Sequence, residues 1–98
     1  MTPLQGQIRA VLGDDSRHVL IYSGDMFNTL HGEDFVLTMD VMDHPTPLAI
    51  ELPGQNRWVW YTWLEHTPKA MLGPVVHEIS KFDVSEINTK LFLILTTN

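Results

Sequence analysis

The sequence predicts an all-β domain: a compact antiparallel β-sandwich or small barrel of about seven strands. Three observations lead there. Short apolar or alternating runs recur between closely spaced turn signals. The breaks are built from Gly, Pro, Asn and Asp, each suited to tight turns for its own steric or hydrogen-bonding reason. All three tryptophans fall in one window, Arg57-Trp58-Val59-Trp60-Tyr61-Thr62-Trp63-Leu64, which reads as the centre of a core or of a binding surface.

The elements follow in order. Residues 7–12 alternate loosely, with Ile8, Ala10 and Leu12 on one side, and Gly13-Asp14-Asp15 is a turn. Residues 18–22 suit a buried strand, and Ser23-Gly24-Asp25 ends it. Asp25 caps a short helical turn carrying Met26, Phe27 and Leu30 before the turn His31-Gly32-Glu33-Asp34. Residues 35–42 place Phe35, Leu37, Met39 and Val41 in phase, a period-2 strand signal. Asp43-His44-Pro45-Thr46-Pro47 is a rigid break, because each proline fixes its own φ and drives the preceding residue towards extended structure. Residues 47–52 set Leu48, Ile50 and Leu52 on one face; Pro53-Gly54-Gln55-Asn56 then turns the chain into the tryptophan segment as a hairpin. Thr67-Pro68 and Gly73-Pro74 bracket a connection, after which Val75, His77 and Ile79 alternate with Val76 and Glu78.

Two readings compete at the C-terminal end. Asp83-Val84-Ser85-Glu86 resembles a capping box with Asp83 as N-cap, and Val84, Ile87, Leu91, Ile94 and Leu95 then follow a helical period. Against this, Leu91-Phe92-Leu93-Ile94-Leu95-Thr96-Thr97 has the turn-free, apolar character of a strand. The strand is preferred. The helix would make the fold α+β, with a C-terminal helix on a sheet.

Treated as a strand, the tryptophan segment sends Trp58, Trp60 and Thr62 to one face and Val59, Tyr61 and Trp63 to the other. Both faces are apolar, so a central strand covered on both sides is favoured over an aromatic row lining a groove.

Composition narrows the functional classes. A chain of 98 residues fits a single domain, residues 1–98, and its 44% hydrophobic content fits a folded one. The absence of cysteine removes disulfides, thiolate nucleophiles and cysteine metal sites. The net charge is −6, and the six basic residues, Arg9, Arg17, Arg57, Lys69, Lys81 and Lys90, are scattered. Counterion release from a phosphate backbone needs clustered cations, which argues against nucleic acid. The first residues lack a signal peptide's positive and apolar regions, and the longest apolar run, residues 91–95, is too short to span a bilayer. An intracellular or virion protein is expected.

Catalytic and metal signatures are weak. His18, His31, His44, His66 and His77 show no metal-ligand spacing, and Asp40, Asp43 and His44 form the densest cluster of ligand types. The six glycines are isolated, so no phosphate loop forms, and no Gly-x-Ser-x-Gly elbow is present. The reading is therefore a non-enzymatic protein-interaction or assembly module with no metal or cofactor, its partner being another protein or a second copy of itself. Arg57, Trp58, Trp60, Tyr61 and Trp63 are its candidate binding residues, since aromatic residues and arginine anchor interfaces. The alternatives are a carbohydrate-binding module using exposed tryptophans and a small inhibitor or immunity protein acting on a larger enzyme complex.

Overall fold

The structure is a computed structural model that describes residues 2–30, 34–52 and 54–96. Six strands, β1 (Gln7–Val11), β2 (Asp14–Ile21), β3 (Phe35–Met42), β4 (Ile50–Leu52), β5 (Arg57–Pro68) and β6 (Leu72–Glu78), form one sheet. Helix α1 (Asp25–Leu30) joins β2 to β3, and helix α2 (Lys81–Thr96) ends the chain. The strand order is β4-β5-β3-β2-β1-β6 and every pairing is antiparallel. This is the α+β arrangement with a C-terminal helix on a sheet, not an all-β sandwich or barrel. Among the described residues, no helix is long and apolar enough to cross a membrane.

The expected strands are largely in place. Residues 35–42 form a strand with the expected limits, whereas only Ile50–Leu52 of the 47–52 run pairs. The hairpin into the tryptophan segment pairs Leu52 with Arg57 and Ile50 with Val59. The turn at residues 31–34 falls mainly outside the described residues, as do His31 and Pro53. Consecutive strands β5 and β6 lie far apart in the sheet. β5 runs the length of β3 to the Phe35–Pro68 pair, a 3-10 turn at Lys69–Met71 follows, and β6 then lines the far side of β1. Gly73 allows that approach, because a Cβ there would meet the Ala10 carbonyl oxygen at 2.9 Å.

The preferred C-terminal strand is the main correction to the fold. Residues 81–96 are helical, and the N-cap lies three residues earlier than expected. Ser80 Oγ accepts from the Asp83 amide at 3.1 Å, and the Ser80 carbonyl accepts from the Val84 amide. Ser80 is therefore the cap and Asp83 the third helical residue, where its charge faces the positive end of the helix. Val84 and Ile87 are buried and Leu91 packs partly behind them, a spacing that keeps one helical face on the sheet. Phe92, Leu93, Ile94 and Leu95 are exposed, so the apolar run that suggested a strand is mostly not core.

Both faces of the sheet are covered. On the α2 side Ile8, Leu20, Met39, Val41, Leu52, Val59, Tyr61 and Ile87 form one cluster; on the opposite side Val11, Val19, Ile21, Val36 and Leu72 form another. The α1 corner is held by a buried polar node. Asn28, fully buried, donates from Nδ2 to the carbonyls of Pro3 and Ser23 at 3.0 and 3.1 Å, and Ser23 Oγ donates to Asn28 Oδ1. Ser23 Oγ in turn accepts from the Leu37 amide.

The packing of α2 makes a contrast that can be measured. Ile87→Ala removes a fully buried side chain and is expected to lower the unfolding free energy by about 2–5 kcal/mol, read from the urea midpoint. Phe92→Ala, on the exposed face of the same helix, is expected to stay within about 0.5 kcal/mol of wild type.

Candidate active site

The site begins at an irregularity in the pairing of β3 with β5. Met39 pairs with Leu64 and Val41 with Val59, so the single residue Asp40 stands against Trp60, Tyr61, Thr62 and Trp63. Such a bulge inverts the alternation of the strand that carries it. Val59 and Tyr61 point to the α2 side before it, and Leu64, paired with Met39, takes that side after it. Trp60 before the bulge and Trp63 after it therefore share the opposite face. Regular alternation would have separated them; instead their rings stack with centroids 5.0 Å apart and planes 21° from parallel.

The five candidate binding residues consequently divide. Tyr61 is 7% exposed and belongs to the core cluster. Arg57, Trp58 and Trp60 are half-buried, and Trp63 is 46% exposed. Through Val59 and Tyr61 the segment is thus covered on the α2 side, whereas Leu64 beyond the bulge is exposed and the opposite face is partly open.

On that open face lies a charged group of which the sequence singled out only Asp40, as a ligand-type residue. Arg17 Nη2 donates to Asp40 Oδ1 at 3.0 Å and to Glu65 Oε2 at 2.8 Å. The other oxygen of Glu65 accepts from the Trp63 indole N–H. The residues lie far apart in sequence, but Val19 pairs with Asp40 and Thr38 with Glu65, which sets β2, β3 and β5 side by side at this level. One carboxylate thereby connects the guanidinium to the tryptophan stack. The hydrogen bond it donates to Asp40, supported by the one it donates to Glu65, pushes the Arg17 guanidinium above its ordinary value. The Trp63 indole, and Arg17 after it, hold the Glu65 carboxyl below its ordinary value. These groups are part-exposed, so their ion pairs add little to stability; their effect is to fix directions.

Arg17 and Asp40 reach into a cleft of about 500 Å³ at the ends of β2 and β3, also lined by Asp14, His18, Asp43, His44, Asn56 and Arg57. Arg57 Nη1 lies 3.0 Å from His18 Nδ1. A guanidinium can only donate, so His18 Nδ1 accepts and the ring proton sits on Nε2. The cleft thus gathers two arginines from a chain whose basic residues looked dispersed, beside the carboxylates of Asp14, Asp40 and Asp43, so dispersal along the sequence does not by itself exclude a nucleic-acid substrate.

Of the described histidines, His18 and His44 line the cleft and the others lie elsewhere. His44 meets Asp43 at 2.9 Å on the surface, and His66 stacks on Phe35, with ring centroids 4.6 Å apart. Among the described residues no group of three His, Asp or Glu side chains is arranged to hold a metal ion.

No protein-family model matches the chain, and no curated protein matches it in sequence. Solved structures do. An endoribonuclease in complex with its cognate antitoxin, from a mycobacterial species, superposes with a TM-score of 0.78 at 24% identity, covering 96% of this chain and 93% of that one. A mycobacterial endoribonuclease superposes with a TM-score of 0.80 at 21% identity, covering 97% and 92%. The fold is therefore one used by endoribonucleases. This overturns the expectation of a non-enzymatic assembly module, with its carbohydrate-binding and inhibitor alternatives. The expectation rested on the absence of local catalytic motifs, and residues brought together from separate strands leave no such motif.

The Glu65 contacts predict an acid-side effect. A carboxyl whose folded-state value lies below its ordinary 4.5 contributes stability that is present above that value and lost as pH falls through the depressed one. Tryptophan emission of the folded protein is expected to titrate with a midpoint below 4.5. Glu65→Gln is expected to abolish that titration and to flatten the same part of the acid limb in urea midpoints. An unchanged titration in the variant would disprove the assignment.

Proposed function

We propose that this chain is an endoribonuclease whose activity is held in check by a protein partner of the antitoxin kind. The observation that carries the reading is the superposition over nearly the whole chain on two endoribonucleases, one of them bound to its cognate antitoxin. The cleft supports it chemically. RNA carries its own nucleophile, the 2′-hydroxyl beside each phosphodiester. Attack of that oxygen on phosphorus displaces the 5′-oxygen and leaves a 2′,3′-cyclic phosphate and a 5′-hydroxyl. The protein must accept the hydroxyl proton, let the departing 5′-oxygen take a proton from a neighbouring acid or from water, and stabilise the charge that builds on the phosphoryl oxygens.

Residues of the right type line the cleft. Arg17 supplies a fixed cation, held in place by Asp40 and Glu65 and so available without reorganisation. Asp40, 3.0 Å from that cation and, unlike Glu65, part of the cleft lining, is the proposed acceptor of the 2′-hydroxyl proton. His18, with its Nδ1 occupied by Arg57, offers Nε2–H as a donor to a phosphoryl oxygen. The net charge of −6 implies that RNA is held by few phosphate contacts. Such an enzyme acts where cellular RNA is, so an intracellular location belongs to the proposal.

The test is cleavage of a single-stranded RNA by the purified chain, with the product ends mapped. Arg17→Gln is expected to lower the rate by about 10²–10³ while leaving the melting transition intact, because the carboxylates it releases can be hydrated. Production of the wild-type chain in cells is expected to arrest growth and that of Arg17→Gln to permit it. With two arginines at the phosphates, the logarithm of RNA affinity is expected to fall against the logarithm of salt no more steeply than about −1.4. Failure of the pure protein to cut any RNA would end this reading.

A further inference from the structure

The stack of Trp60 and Trp63 is not used by the chemistry above, yet it is joined to that chemistry by one carboxylate. We propose that it is a base-stacking platform, taking an unpaired base of single-stranded RNA beside the nucleotide whose phosphate lies at Arg17. The proposal rests on the ribonuclease reading and adds the substrate class, single-stranded RNA with an unstacked base.

The geometry makes three points. Trp63 is 46% exposed although it is large and apolar, and it is not free to turn. Trp60 lies against it and Glu65 accepts its indole N–H. A ring fixed from two sides loses little freedom when a ligand adds to it, which favours binding. The two indoles are nearly parallel, 21° apart, so a third flat ring can extend the stack. RNA bases are flat rings with apolar faces, and single strands are commonly bound by stacking bases on aromatic side chains. The third point is position. Glu65 bonds Trp63 with one oxygen and Arg17 with the other, so the platform keeps a constant relation to the cation in the cleft. Stacking needs no positive charge, which answers how a chain with a net charge of −6 gains affinity for a polyanion.

The structure also accounts for the platform's existence. Without the bulge opposite Asp40, Trp63 would point to the α2 side with Val59 and Tyr61. The irregularity that brings Arg17, Asp40 and Glu65 together is also what pairs the tryptophans.

The experiment combines Trp63→Ala and Trp63→Phe with single-stranded RNA oligonucleotides in which each nucleotide in turn is made abasic. Tryptophan quenching reads binding and product formation reads cleavage, and circular dichroism checks that the variants fold. Wild type is expected to show strong quenching. Trp63→Ala is expected to raise KM by about 5- to 150-fold, and Trp63→Phe to recover much of that loss. At one position the abasic substitution should cost as much as Trp63→Ala, and the two together no more than either alone. Cleavage with KM unchanged in Trp63→Ala would overturn the platform and leave the ribonuclease reading standing. Stacking-dependent quenching without cleavage would do the reverse. RNA binding unaffected by Trp63→Ala, with loss of affinity for an inhibiting protein partner, would assign the pair to that partner and overturn the proposal.

Discussion

The mismatch between β3 and β5 at Asp40 is the constraint on which the functional face depends. A strand of twelve residues, Arg57–Pro68, cannot keep one alternation along its whole length and also send Val59, Tyr61 and the pairing partner of Met39 to the same side. Crowding four residues against one resolves this, because it inverts the phase of everything beyond it. Upstream, the segment supplies the core beneath α2. Downstream, Trp63, Glu65 and Thr67 face the other way, where Glu65 meets Arg17 and the Thr67 hydroxyl meets that of Thr38 at 2.7 Å. The face that carries Trp60, Trp63 and Glu65 and the hydrophobic core beneath α2 are consequences of one irregularity.

The electrostatics of the site follow from the same geometry. In an acidic chain a lone arginine would find carboxylates anywhere; here it finds two whose positions are set by strand pairing. Arg17 is thereby held protonated and oriented, at the cost of some of its outward field. That balance suits the proposed chemistry, which calls for a cation directed at one phosphoryl group more than for a broadly attractive surface. Arg57 plays a second part from the β4–β5 hairpin, where it determines which nitrogen of His18 carries the proton.

Much of the fold was legible. Residues 35–42 alternated cleanly and form a strand with those limits. The hairpin before the tryptophan segment followed from its turn residues. The C-terminal element is a helix where a strand is expected because residues 91–95 are uniformly apolar, a pattern with no period to distinguish the two. The period lay in Val84, Ile87 and Leu91, spaced to bury one helical face, while Phe92 to Leu95 stay exposed. Apolar residues need not be buried, and on this helix Phe92 to Leu95 are not. The site was less legible still. Arg17, Asp40 and Glu65 sit on three strands, and no local spacing in a sequence records that those strands are neighbours. The nearest signal was the cluster of Asp40, Asp43 and His44, all three of which line the cleft.

The sequence by itself determined what local physics controls: the positions of most strands and turns, the tryptophan concentration, and a helical period at the C-terminal end that was available to be read. Tertiary structure alone decided which face each tryptophan takes, which carboxylates meet Arg17, and that two dispersed arginines share a cleft. The reason is that alternation and helical period are properties of neighbouring residues, whereas a bulge is a property of two strands in register. Its existence depends on the partner strand, and the phase of every later side chain depends on it.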